Sequence, residues 1–369
     1  MTTASLADRR AAGTMKMGYC VPAFAMPSAG LFRVPNLARI QDMNVLGNAK
    51  EAERLGFDSL WVCDHLILGR ESSVLEGWTT LAMIAGATSR AELGLIHQAN
   101  LFRAPQIAAK MMSTLDHISG GRFIHFFEAG MGRPEQVAYG LDWDDDHGKR
   151  VERLEEAIEL IQSLYAADKP IDFKGKFYHL EQAMLSPKPK QKHVPVWLGE
   201  AFPWVIDLTA RKADGWNTTP VSLDELDRRL ALLDAALATA GRSRAELEIS
   251  FETQILVAPD IATLRRKVAS MLDHARLAGH EPDPAVTDFA TGRAESLPSA
   301  MTDPWIIGTA AEAKTRIAEL KSRGVDHLML WFMDAPDTDG MAYFMDEIAP
   351  RFADNLAGRE QSRVKPLCS

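Results

Sequence analysis

His65 stands at the end of an apolar run, FDSLWVCDH (57–65), directly after Asp64. An imidazole titrates near neutrality, so a histidine at such a strand end can take or give a proton in a reaction; the plainer alternative is a histidine that only closes the strand. Asp64 is expected to orient it or to cap a helix. A second acid, Glu128, ends the run GRFIHFFEAG (121–130). It could contact a substrate, act as a base with a raised pKa, or pair with an arginine such as Arg133. Gly199, Glu200 and Ala201 sit between the run PVWLGEA (195–201) and a helical segment. A small-residue turn at a helix start offers backbone N–H donors to a phosphate, although Glu200 would repel that phosphate unless turned away. The segment Asp142–Arg150, DWDDDHGKR, is acid-rich, but its carboxylates are consecutive and it has no paired histidines. It reads as a solvated loop and helix start, and no metal is expected.

These groups need a frame, and the chain carries one. Eight short apolar runs recur: 15–24, 57–65, 92–100, 121–130, 195–201, 215–221, 247–257 and 327–335. Helical periodicity fills the intervals between most of them, which is the pattern of parallel βα units. Eight alternations predict a (β/α)8 barrel, an α/β fold whose reactive groups sit at the C-terminal ends of the strands. The barrel is expected over 15–357, with insertions at about 168–194 and 277–306. The first, containing FKGKFYHL, reads as a small hairpin and the second as a mobile loop at the mouth. Residues 1–14 are expected to be a disordered leader and 358–369 a tail. Trp61, Trp78, Trp197 and Trp216 are read as core. The 369 residues are 46% hydrophobic, enough for one large core. A net charge of −9 argues against a nucleic-acid surface. Cys20, Cys63 and Cys368 share no metal-type spacing and fit a reducing compartment, so a cytoplasmic location is expected, with no export signal and no membrane span.

Several segments, in this order and at barrel spacing, resemble the luciferase-like flavin or deazaflavin-dependent oxidoreductases, which include bacterial luciferase and alkanesulfonate monooxygenases. They are AERLGFDSLWVCDH (52–65), RAPQIAAKMMSTLDHISGGRF (103–123), HGKRVERLEEA (147–157), VPVWLGEA (194–201), ADGWN (213–217), IIGTAAEA (306–313) and GVDHLMLWF (324–332). The resemblance implies a flavin near His65 and a strand end at 97–100 that meets the polar edge of its ring. Gln98 and Asn100 are the candidates there, Asn100 being preferred; the plainer alternative is that they point outward against helices, since only one of the parities His97/Ala99 and Gln98/Asn100 can face the barrel. It also implies a non-prolyl cis peptide near that strand end. His147 and Arg150, an H-x-x-R pair at a helix head, are implied as cofactor residues. Relatives commonly carry Gly-Gly or Gly-Ser where this chain has Gly199-Glu200. Alkanesulfonate-cleaving relatives place an arginine and a histidine where this chain has Glu252 and Gln254. A carboxylate cannot seat a sulfonate, so a neutral, polyhydroxylated or cationic substrate is expected unless a lid cation such as Arg293 compensates. Trp331 and Phe332 could wall the pocket, with core packing as the plainer alternative.

The activity so implied is that of a two-component monooxygenase, in which reduced FMN from a separate reductase and O2 oxidise or cleave a small organic substrate, with His65 managing protons. A deazaflavin-coenzyme-dependent dehydrogenase or reductase on the same fold is the alternative, and a noncatalytic flavin-binding protein a third. No G-x-G-x-x-G follows a strand, so a nicotinamide-binding half is not expected. A homodimer or homotetramer is expected from the resemblance.

Overall fold

The computed structural model describes residues 5–26, 40, 43–130 and 132–353. The expected tail at 358–369 and the first four residues of the expected leader lie outside the described residues. The fold is a (β/α)8 barrel. Its strands are β1 Lys16–Cys20, β2 Ser59–Cys63, β3 Glu92–Ile96, β4 Phe123–Glu128, β5 Val196–Gly199, β6 Gly215–Thr218, β7 Glu248–Ala258 and β8 His327–Phe332. Seven lie within one of the eight apolar runs, and β7 passes the end of its run, 247–257, by one residue. Their residues are almost all buried, as expected of parallel strands covered on both faces.

The chain divides into two compact units. One comprises Met1–Leu60, Pro220–Leu223 and Glu248–Ser369; the other comprises Trp61–Thr219 and Asp224–Leu247. In the first unit β8 lies between β1 and β7, with Lys16 opposite His327 and Ser250 opposite the same residue on the other side. Within this unit, Ser250–Ile255 of the long β7 pair with β8, and Ile255–Ala258 pair with an additional strand, Ile306–Thr309. That strand was not among the eight apolar runs. It is only four residues long and leads straight into a helix whose capping box is formed by Thr309 and Glu312.

The expected leader is a helix in its described part. Leu6–Ala12 is opened by a Ser5–Asp8 capping box and closed by Gly13 in the left-handed conformation at φ 67°. Its two arginines hold it down: Arg10 grips Asp326 through two bonds of 2.7 and 2.6 Å, and Arg9 reaches Glu248 at 2.8 Å. Residues 277–306, expected as a mobile loop, instead carry helices Pro284–Ala290 and Ser299–Thr302. Asp283 caps the first of these through Ala285 N at 2.8 Å, and Val286 and Phe289 bury its apolar side. Arg265, from the helix Ile261–Leu277, lies over the Phe289 ring at 5.4 Å.

In the second unit the strands run β3, β4, β5, β6, all parallel. Trp61, Phe126 and Trp197 form its aromatic floor, with ring centroids 5.4 to 6.1 Å apart. Two glycines make room for the tryptophans: a Cβ on Gly94 would stand 2.6 Å from Trp61 Cε3, and one on Gly215 would stand 2.5 Å from Trp197 Cδ1. Neither indole can withdraw from a packed interior, so Gly94→Ala is expected to cost about 1–3 kcal/mol through overpacking. Urea unfolding checks this, and an unchanged midpoint would show that Trp61 has space to move. The expected hairpin forms from Ile171–Lys174 and His179–Ala183. It is fastened to the helix His147–Ala166 by Glu156, which accepts from the backbone N–H groups of Lys176, Phe177 and Tyr178 at 2.7 to 3.1 Å.

Candidate active site

The aromatic floor of the second unit carries the ends of β2 to β5. Phe126 touches the edge of the His97 ring, with centroids 4.4 Å apart. A Cβ on Gly199 would come within 3.1 Å of the same phenyl, so a side chain there would require the Phe126 ring to give by a few tenths of an ångström. Glu128 lies two residues beyond Phe126, on the same face of β4.

β3 does not continue in simple alternation. It stops at Ile96, the Ile96–His97 peptide bond is cis, Gln98–Ala99 form a short bridge to β4, and Asn100–Phe102 turn in a 3-10 helix. His97, Gln98, Ala99 and Asn100 are all buried, and beyond Ile96 they no longer belong to the β3 ladder. The Gln98 side-chain oxygen has no hydrogen-bond partner among the described residues. Asn100 Nδ2 donates to the hydroxyl of Tyr178, at 3.4 Å, and Arg153 Nε donates to the same oxygen at 3.1 Å. The hairpin thus reaches the end of β3.

The two acids at the end of β2 and β4 have partners that sequence reasoning did not name. Asp64 is neither bonded to His65 nor a helix cap. It forms a two-bond pair with Arg103 at 2.7 and 2.9 Å and accepts from Ala99 N at 3.3 Å. Burial pushes its carboxyl up, against the pull of Arg103. The cap of helix Gly77–Ala87 is Glu76, which accepts from Thr79 N at 2.7 Å and also binds Arg103. Glu128 does not pair with Arg133. Its Oε2 lies 3.5 Å from His97 Nδ1, while Arg133 faces Asp145 at 3.8 Å.

His65 is half-buried, and its Nδ1 lies 3.1 Å from Glu135 Oε2. Glu135 belongs to the short helix Arg133–Ala138 after β4. Its other oxygen accepts from the backbone N–H groups of Leu66 and Ile67, the latter at 2.9 Å. Burial pushes the Glu135 carboxyl up, but these bonds outweigh it and hold the group below the ordinary carboxylate range.

A cavity of about 350 Å³ brings five of the expected residues together: Glu128, His147, Arg150, Gly199 and Glu200 all line it. Ala201 is not among its lining residues. Phe202 and Trp204 form an exposed aromatic lip, with the His147 ring edge-on to both at 4.6 and 5.8 Å. His147 opens its helix behind Asp146, whose carboxylate caps it through Gly148 N at 2.9 Å and Lys149 N at 3.3 Å. The acid-rich loop thus serves as a helix start, and among the described residues no three His, Cys, Asp or Glu side chains gather as a metal set.

Burial and the neighbouring Arg150 hold the His147 imidazole below its ordinary range. Near neutrality, then, Arg150 and not His147 is the fixed cation. Its guanidinium lies 4.1 Å from the Trp143 ring and donates to Asp144 O at 2.6 Å, while Nε is buried with no hydrogen-bond partner among the described residues. Helix Pro203–Lys212 begins at the same cavity with no side-chain cap. Glu200 takes the left-handed φ of 80°, with its N–H bonded to Asn217 O and its carbonyl to the Trp216 indole. An uncapped helix N-terminus beside an arginine has the chemistry to accept an anion.

In the first unit, Glu252 and Trp331 are joined: the indole N–H donates to Glu252 Oε1 at 2.6 Å, and Phe24 packs edge-on against the indole at 5.7 Å. Gln254, on the same side of β7, is buried with its side-chain oxygen unpartnered among the described residues. A carboxylate and an amide oxygen, both acceptors, suit a ligand that brings donors.

Set beside known proteins, residues 15–327 match the family model of the luciferase-like monooxygenases. The chain is 28% identical over 325 residues to the F420-dependent glucose-6-phosphate dehydrogenase of Microbacterium testaceum (strain StLB037), a likeness covering 83% of this chain and 92% of that protein. Among solved structures, an F420-dependent secondary alcohol dehydrogenase in complex with an F420-acetone adduct matches with a TM-score of 0.70 and 22% identity, covering 92% of this chain and all (100%) of that one. The EDTA monooxygenase of Chelativorans sp. BNC1 matches with a TM-score of 0.72 and 20% identity, covering 95% and 94%. Both share the fold. A match that runs from β1 into β8 settles membership: the chain belongs to the luciferase-like monooxygenase family.

Proposed function

We propose that this protein is a coenzyme F420-dependent dehydrogenase or reductase acting on a small hydroxylated or carbonyl substrate. The observation that carries the reading is its likeness, along most of the chain, to an F420-dependent glucose-6-phosphate dehydrogenase. The residues fit a cofactor with an anionic tail and a polar ring edge. Arg150, the uncapped start of helix Pro203–Lys212 and the glycine turn at Gly199 would hold the tail, and the unpartnered Gln98 oxygen with Asn100 would meet the ring. When bound, a deazaflavin supplies the ability to take up or release a hydride. The chain's own part is to carry the accompanying proton on His65, with Glu135 behind it, and to enclose the reaction from water.

A second reading uses the same seat. The family includes monooxygenases, and the anion seat suits the monophosphate of reduced FMN, which a separate reductase would deliver for reaction with O2. Anaerobic absorbance titrations with F420 and with reduced FMN, each followed by oxygen, separate the two. Saturable F420 binding with no oxygen uptake is the expected result; binding of reduced FMN alone, followed by oxygen consumption, would overturn it. Arg150→Ala is expected to weaken F420 binding about tenfold or more, the worth of one charge-assisted contact. An unchanged affinity would place the tail elsewhere.

A further inference from the structure

Glu135 is held on both sides. One carboxylate oxygen is bound by two consecutive backbone N–H groups, of Leu66 and Ile67, and the other faces His65 Nδ1 at 3.1 Å. The loop after β2 is further tied down by Tyr139, whose hydroxyl donates to Leu66 O at 3.3 Å. The carboxylate can only accept, and its position is set by bonds that do not involve His65. The facing nitrogen of a neutral imidazole must therefore carry the proton.

We propose that Glu135 is a positioning residue for His65, fixing the imidazole as the Nδ1–H tautomer so that Nε2 is the working nitrogen. The proposal rests on the reading of His65 as the proton carrier. With Nδ1–H directed at Glu135, Nε2 presents a lone pair in the neutral ring and an N–H once the ring has taken a proton. One nitrogen thus serves both directions of transfer without rotation of the ring. A wrong tautomer would present an N–H where an acceptor is required, a fault known to be severe when the acid behind a catalytic histidine becomes an amide.

The test uses the cofactor-free full chain, with the His65 tautomer read from its long-range 15N–1H correlations. The wild type is expected to show Nδ1–H. In Glu135→Gln the amide oxygen can still accept from Leu66 and Ile67, which turns the NH2 group toward His65 Nδ1. The ring is then expected to change to Nε2–H, with a thermal midpoint close to wild type. An Nε2–H wild type, or an Nδ1–H ring retained in Glu135→Gln, overturns the proposal. The wild-type spectrum decides even if the variant does not fold. Turnover of a His65 variant tests the proton-carrier reading separately, so the two can fail independently.

Discussion

Replacing His65 by alanine is expected to lower kcat by about 10²–10⁴-fold, the range of a lost general acid–base group, with F420 affinity and thermal midpoint little changed. The reason lies in where the ring sits. It lies two residues beyond the end of β2, is half-buried, and is held by Glu135 rather than by the aromatic floor. Removing it should therefore take away a proton carrier without opening a core cavity. His97 provides the contrast. Its ring packs against Phe126 at 4.4 Å and faces Glu128 at 3.5 Å. His97→Ala should accordingly lower the thermal midpoint as well as the rate. Steady-state F420 reduction with a small alcohol, read alongside calorimetry, separates the two. A His65→Ala enzyme that turns over at the wild-type rate would sink the proton role.

The positions of the eight strands follow from local patterns. Runs such as SLWVC and HLMLWF are apolar and β-branched or aromatic, and helical periodicity separates most of them. Ile306–Thr309 escapes this reading because four residues pairing with the far half of a long strand carry too little periodicity to stand out. The helix at Leu6–Ala12 was legible in part: Ser5 and Asp8 have capping-box spacing, and Gly13 is a stop. What could not be read was that Arg9 and Arg10 find acids more than two hundred residues away.

The site shows the same division. Residue types at strand ends pointed to His65, Glu128 and Gly199, and the resemblance added His147 and Arg150. Four of these five then share one cavity. Their partners were hidden. Glu135 looks like an ordinary acid in a helix's first turn, Arg103 like the start of a helix motif, and Tyr178 like part of a surface hairpin. Each meets its partner only when tertiary structure brings it against a residue 39 to 78 positions away. The Asp64–Arg103–Glu76 link also explains why Asp64 does not hold His65: its carboxylate is already committed to the loop that follows β3.

The largest expected effect on stability belongs to Glu248, far from that cavity in the chain's own order. Its carboxylate gathers Arg9 at 2.8 Å, Lys16 at 3.3 Å and His327 Nδ1 at 3.1 Å, while His327 Nε2 lies 2.7 Å from Ser59 Oγ. The order serine, histidine, glutamate is that of a nucleophilic triad. Ser59 and His327, however, are fully enclosed, and Glu248 is shared with two cations, so the cluster is structural. Glu248→Gln takes one negative charge away from the buried Arg9 and Lys16 and is expected to cost about 3–5 kcal/mol at neutral pH. Burial pushes the Glu248 carboxyl up, but Lys16, His327 and Arg9 outweigh it and hold the group far below the carboxylate range. A depressed folded value means that the stabilisation is fully present above the unfolded pKa of about 4.3 and drains away as the pH falls below it. The gap between wild type and Glu248→Gln should therefore narrow in acid, read as urea midpoints at neutral pH and near pH 3.5. A gap that stays constant would assign the cost to packing instead of charge. If the gap narrows as expected, the arginine-bearing helix Leu6–Ala12 is a working part of the barrel's stability, not a trailing segment.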